Sequence, residues 1–261
     1  MFYLYVGLFK GSNFTYNGAM QHTNTNAPFS NHATSIRAPR IVVFGGGTIT
    51  HLRSHFALCA PAYGTTARKI AGMLTHEIQT RGLNYEVDLR LTKMADAQSS
   101  METNDEVEQE LRSVLEDPSV VSIVFNVALC DFEGQVGSTP SGKYAERLQT
   151  RSLSTTDATI SLKATSKLLG LVQSLRPDVM VVGFKTTAGD TSQGQSEKVQ
   201  RQIQETGVAW VFANDTVTRN NMLVQKNENT QGEQVYSGPD REQALEMLAR
   251  HLVRAARNAH E

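Results

Sequence analysis

Thiols are scarce in this sequence: its 261 residues hold two cysteines, Cys59 and Cys130. Two distant thiols form no disulfide framework and no metal-ligand spacing, so each reads as a small buried apolar residue in a reducing compartment. The seven histidines show no ligand pattern, so no protein-held metal is expected. Charge is balanced to a formal −1, which predicts no general pull toward nucleic acid or a membrane surface. No apolar run approaches the roughly 20 residues of a membrane span. The run Phe2–Phe9 is short and follows no basic residue, so a secretory signal is not expected and a cytoplasmic location follows by default.

Several catalytic signatures are also missing. Gly45-x-Gly47-x-x-Thr50 has no third glycine, so the dinucleotide fingerprint is incomplete. No Gly-Lys-Ser/Thr follows, which excludes a P-loop. There is no Gly-x-Ser-x-Gly elbow. Tyr144 is followed four residues later by Leu148, not Lys, against a short-chain dehydrogenase.

The positive signal is alternation of buried strands with helices. Residues 1–36 stand apart, with Lys10 as their one charge, and read as an N-terminal extension, loosely ordered or laid along a neighbouring surface. From residue 37 on, one domain is expected. Ile41–Phe44 is a continuous apolar strand stopped by Gly45-Gly46-Gly47. Helical spacing follows over Thr66–Arg81, an alternating strand over Tyr85–Leu91, and a helix over Asn104–Glu116. Val120–Leu129 is the next buried strand, then a polar loop runs to about Thr156. A short strand at Thr159–Leu162, a helix at Ser166–Leu175, strands at Val179–Phe184 and Val208–Phe212, a helix at Gln195–Thr206, a hairpin of Met222–Gln225 with Gln234–Tyr236, and a last helix from Asp240 complete the pattern. Such alternation predicts an α/β, Rossmann-like fold, its mainly parallel sheet covered by helices on both faces.

Ligands of such folds bind beyond the carboxyl ends of the strands. Those ends carry Gly45-Gly46-Gly47-Thr48, Asp131, Phe184-Lys185 and Asn214-Asp215. The glycines fit either a backbone cradle for phosphate or a tight structural turn. Asp131 reads as an acceptor for ribose or base, or as a turn residue. Lys185 reads as a phosphate partner, or as a solvated lysine. Asn214 and Asp215 read as site residues or as turn formers.

Taken in order, these segments resemble the phosphopantothenate–cysteine ligase family over roughly residues 40–255. The likeness lies in Gly45–Thr48, Val127-Ala128-Leu129-Cys130-Asp131-Phe132, Val182-Gly183-Phe184-Lys185-Thr186-Thr187 and Val211-Phe212-Ala213-Asn214-Asp215. It implies a homodimer that uses CTP or ATP with Mg²⁺ to turn the carboxylate of 4′-phosphopantothenate into an acyl nucleotide. The amine of cysteine then attacks it. By match, Phe125, Asn126, Val127 and Asp131 would contact the nucleotide, and Ser166, Lys167, Leu168, Leu169 and Phe184 would line it. Arg147 and Lys185 would face phosphate as catalytic cations. The sequence departs from the family at Ala60, where the family carries an asparagine used around the acyl-nucleotide step. It departs again at Thr186, Ser166 and Thr206. A nucleotide-binding relative without ligase activity is the alternative.

Overall fold

β-Branched runs with no polar alternation belong to strands covered on both sides. The computed structural model describes residues 37–149, 158–165, 167–227 and 231–258, and it places these runs at the centre of the molecule. In chain order the elements are β1 (Arg40–Gly47), β2 (Ile49–Arg53), β3 (Phe56–Cys59), α1 (Thr65–Thr80), β4 (Glu86–Leu91), α2 (Asn104–Leu115), β5 (Val120–Ala128), β6 (Phe132–Val136), β7 (Ile160–Ala164), α3 (Leu169–Leu175), β8 (Met180–Thr187), α4 (Ser192–Thr206), β9 (Trp210–Asp215), β10 (Asn221–Lys226), β11 (Gly232–Gly238) and α5 (Arg241–Asn258).

Seven strands form one sheet in the order β11-β10-β9-β8-β5-β1-β4. The five from β4 to β9 are parallel, and β10 and β11 add an antiparallel edge. The parallel part has the doubly wound order in which winding reverses between β1 and β5. Alternate strand residues feed two cores. Ile41, Val43, Val182 and Phe212 meet Ile70 and Leu74 of α1 and Leu245 and Leu252 of α5. Val42, Phe44, Ile123 and Val181 meet Leu111 of α2, Val172 of α3 and Ile203 of α4. The α/β sheet with helices on both faces is therefore as expected.

Helix ends follow local chemistry. Thr103 and Glu106 close a full capping box on α2, and α4 stops on Gly207 in the left-handed region. No described helix is long and apolar enough to cross a membrane.

Three expectations need correction, and one segment, 49–59, carries no expected element. β1 runs through the triple glycine to Gly47 instead of stopping before it. The polar loop after Asp131 contains β6, which pairs antiparallel with β7. The segment 49–59 folds into the β2–β3 hairpin. α3 begins at Leu169, later than periodicity suggested. The expectations for residues 1–36, for the end of the polar loop at about Thr156 and for Ser166 fall outside the described residues.

Candidate functional site: a fork at the carboxyl edge of the sheet

β5 and β8 pair only from Ser122↔Met180 to Phe125↔Gly183. Beyond that point β5 continues against β1 as far as Gly47↔Ala128, while β8 continues against β9 as far as Thr187↔Asp215. The sheet thus forks. Asn126–Ala128, prolonged by the turn to Asp131, form one prong and Phe184–Thr187 the other. Each prong turns an edge without a strand partner toward the gap, and such backbone groups need an outside partner. Strand alternation then distributes the side chains. Asn126, Phe184, Thr186 and Asn214 share the α1/α5 face, where the Phe184 and Phe212 rings lie 5.4 Å apart and Thr186 donates to Asn214 Oδ1 at 3.3 Å. Val127, Leu168, Leu169 and Lys185 share the opposite face, where Val127, Leu168 and Leu169 join the core around Val172. Lys185 is half-buried and makes no ion pair with a described residue. Phe125 is a core side chain, its ring 5.8 Å from that of Phe44.

The triple glycine is filled by the chain itself. A methyl on Gly45 would strike Ala67 of α1, one on Gly46 would strike Thr92, and one on Gly47 would strike the carbonyl of Ala60. Gly46 also has φ +108, which side-chain-bearing residues rarely adopt. What approaches these three Cα positions is protein, where the sequence reading offered a ligand or a tight turn. Thr48 is fully buried. Its hydroxyl donates to Asn104 Oδ1 at 2.6 Å and accepts from the Cys130 amide at 2.9 Å. Asn104 Oδ1 takes the same amide at 3.1 Å, and its Nδ2 donates to the Cys130 carbonyl at 2.8 Å.

Asp131 follows this clamp and is exposed, paired with Lys167 at 2.8 Å. Both belong to the expected site, and the structure brings them together. Arg147 lies exposed in the loop after β6. Asp215 is buried and points back into the protein. Burial alone would push its carboxyl up, but the amides of Thr218, Asp190 and Gly189 and the Thr187 hydroxyl hold it far below the usual carboxylate range. It fastens the turns after β8 and β9, so its turn-former reading fits best.

Three side chains escaped the sequence reading. Asn104 bonds to a residue 26 positions away, which no local pattern encodes. Arg241 opens α5 and stacks over Phe212 at 5.1 Å, donating to Thr66 at the start of α1. It supplies a cation on the Phe184 face. Glu102 lies between His51, Lys93 and Lys143. The Lys143 hydrogen bond holds its carboxyl below the usual range despite burial, and the same bond pushes the Lys143 ammonium up. This cluster edges a cavity of about 690 Å³ between β2, the start of α2 and the β6–β7 hairpin. Among the described residues, Leu168 is the one expected site residue in its lining.

A doubly wound α/β domain with a fork at the carboxyl strand ends is the class these observations define. Solved structures share the fold. The DNA/pantothenate metabolism flavoprotein from Streptococcus pneumoniae superposes with TM-score 0.59 at 15% identity, covering 85% of this chain and 99% of that one. The C-terminal domain of the coenzyme A biosynthesis bifunctional protein CoaBC gives 0.53 at 13% identity over 84% and 94%. A Cab2 mutant in complex with phosphopantothenate-cysteine gives 0.54 at 15% over 85% and 88%. No protein-family model matches the chain, and neither does any curated protein.

Proposed function

We propose that this chain is a nucleotide-dependent acid–amine ligase. It activates 4′-phosphopantothenate, or a related carboxylic acid, with CTP or ATP and joins it to cysteine. The observation that carries the reading is the β5–β8 fork, in a fold shared with a structure solved in complex with phosphopantothenate-cysteine. In this reading the prong edges hold the nucleotide, Phe184 offers an aromatic wall, and Lys185 and Arg241 supply positive charge from opposite faces. The acid's carboxylate attacks the α-phosphorus and pyrophosphate leaves. The amine then attacks the acyl carbon of the mixed anhydride and the nucleoside monophosphate leaves. The protein contributes positioning and charge neutralisation. Mg²⁺ would arrive with the triphosphate. Among the described residues no three His, Cys, Asp or Glu side chains form a metal-holding group, so no step is assigned to a protein-held ion.

The test is pyrophosphate release from CTP or ATP in the presence of acid and amine. Release that requires all three components supports ligation; its absence across a panel of acids and amines overturns it. One observation favours the alternative of binding without ligation. Ala60 stands where the resemblance expects asparagine, and its carbonyl is packed on Gly47. Calorimetric nucleotide binding without pyrophosphate release would establish that reading. We also assign the homodimer to the β6–β7 hairpin. Among the described residues its two strands pair only with each other, and Phe132 and Leu162 are 47% and 56% exposed on it.

A further inference from the structure

Asn104 is the first residue of α2, yet its side chain serves a different element. β5 loses its strand partner after Gly47↔Ala128. Two residues later the Cys130 peptide is held on both sides by one amide: Oδ1 accepts its N–H at 3.1 Å and Nδ2 donates to its carbonyl at 2.8 Å. That is the pairing a neighbouring strand would have provided. Thr48 shares the N–H and donates its hydroxyl to the same Oδ1. Thr165 completes the hold, its hydroxyl donating to the Cys130 carbonyl at 2.9 Å and its amide to the Asp131 carbonyl at 3.0 Å. The Cys130 N–H and carbonyl and the Asp131 carbonyl are thus held by Thr48, Asn104 and Thr165, which stand next to β1, at the start of α2 and just past β7. The turn closes the Asn126–Asp131 prong, and the other prong has no bond to it beyond Phe125↔Gly183.

We infer that Asn104 is a positioning residue for the nucleotide site. By standing in for a strand at Cys130 it fixes the Asn126–Asp131 prong at the distance from Phe184 and Lys185 that a bound triphosphate needs. The inference rests on the proposed nucleotide reading. A purely structural role would lower stability and affinity together; a positioning role lowers affinity beyond what lost stability explains.

The experiment uses the full chain carrying Cys59→Ser, so that Cys130 is the sole thiol. ATP and CTP affinity, the unfolding midpoint and the iodoacetamide alkylation rate of Cys130 are measured for that protein and for Asn104→Ala, Asn104→Asp and Val253→Ala. Val253 lies in the α5 core and serves as a destabilised control away from the fork. Asn104→Ala should weaken nucleotide binding about tenfold, within the range by which side chains outside a ligand site alter coupling, and should speed Cys130 alkylation. Asn104→Asp, which keeps the acceptor and loses the donor, should fall between. Val253→Ala should lower the midpoint and leave affinity intact. Affinity that tracks the midpoint in every variant, or that survives Asn104→Ala, overturns the inference alone. Parent protein that binds neither nucleotide removes the underlying reading and the inference with it.

Discussion

Asp215 shows how a buried charge can be structural at a functional edge. Amide and hydroxyl donors converge on it and favour the ionised form. Its folded pKa lies below the unfolded one, so the unfolded chain binds more protons in acid. The stabilisation is complete above the unfolded carboxylate value of about 3.9 and is lost as pH falls below it. Asp215→Asn should therefore lower the melting temperature at neutral pH and flatten the acid limb of the stability profile, read by thermal melts from pH 7 down to pH 3. Lys185 sits on the same β8–β9 side of the fork with no ionic partner among the described residues, and Lys185→Ala should weaken triphosphate binding by about 1.5–3 kcal/mol, the scale of a charge-assisted bond, measured by calorimetry. The placement of Phe184 and Lys185 toward the carboxyl end of a buried strand was legible because a strongly apolar run leads into them. The crowding of the glycines by Ala67, Thr92 and Ala60 was not legible, because those residues come from other segments. Asn104 and Arg241 were illegible because their meaning lies in contacts that folding creates.

The strands β1, β5, β8 and β9 and the helices α1, α2, α4 and α5 were readable because each buries a continuous run or a regular stripe. β2, β3 and β6 were not. They lie in two-stranded sheets outside the main one, and their short sequences mix polar and apolar residues without a sustained period. What holds them is specific bonding. Arg53 is buried and donates to the carbonyls of Leu52, Val136 and Pro140, tying β2 to the end of β6 and the loop that follows. Arg53→Met should keep the main sheet and free that loop. Limited trypsin digestion should then cut after Lys143 and Arg147 several-fold faster, while the far-ultraviolet dichroism stays close to that of the unaltered protein.

For the molecule as a whole, binding at the fork should join two halves of the sheet that otherwise meet only as far as Phe125↔Gly183. A ligand that binds the folded state alone raises its melting temperature, by about 2.7 kcal/mol of added stability at a hundredfold excess over Kd, so ATP or CTP should give a concentration-dependent shift. The proposed dimer is read separately: Phe132→Asp should move the sedimentation coefficient from dimer to monomer. The arrangement of the two cores bears on synthesis as well. The α2–α4 core gains its last buried members, Met222 and Val224, with β10, but the α1 face waits for α5, which covers it from the far end of the chain. A nascent polypeptide leaving the ribosome therefore carries Ile70, Leu74 and Phe212 without their cover until translation reaches Leu252, and that interval is when chaperones would be needed most.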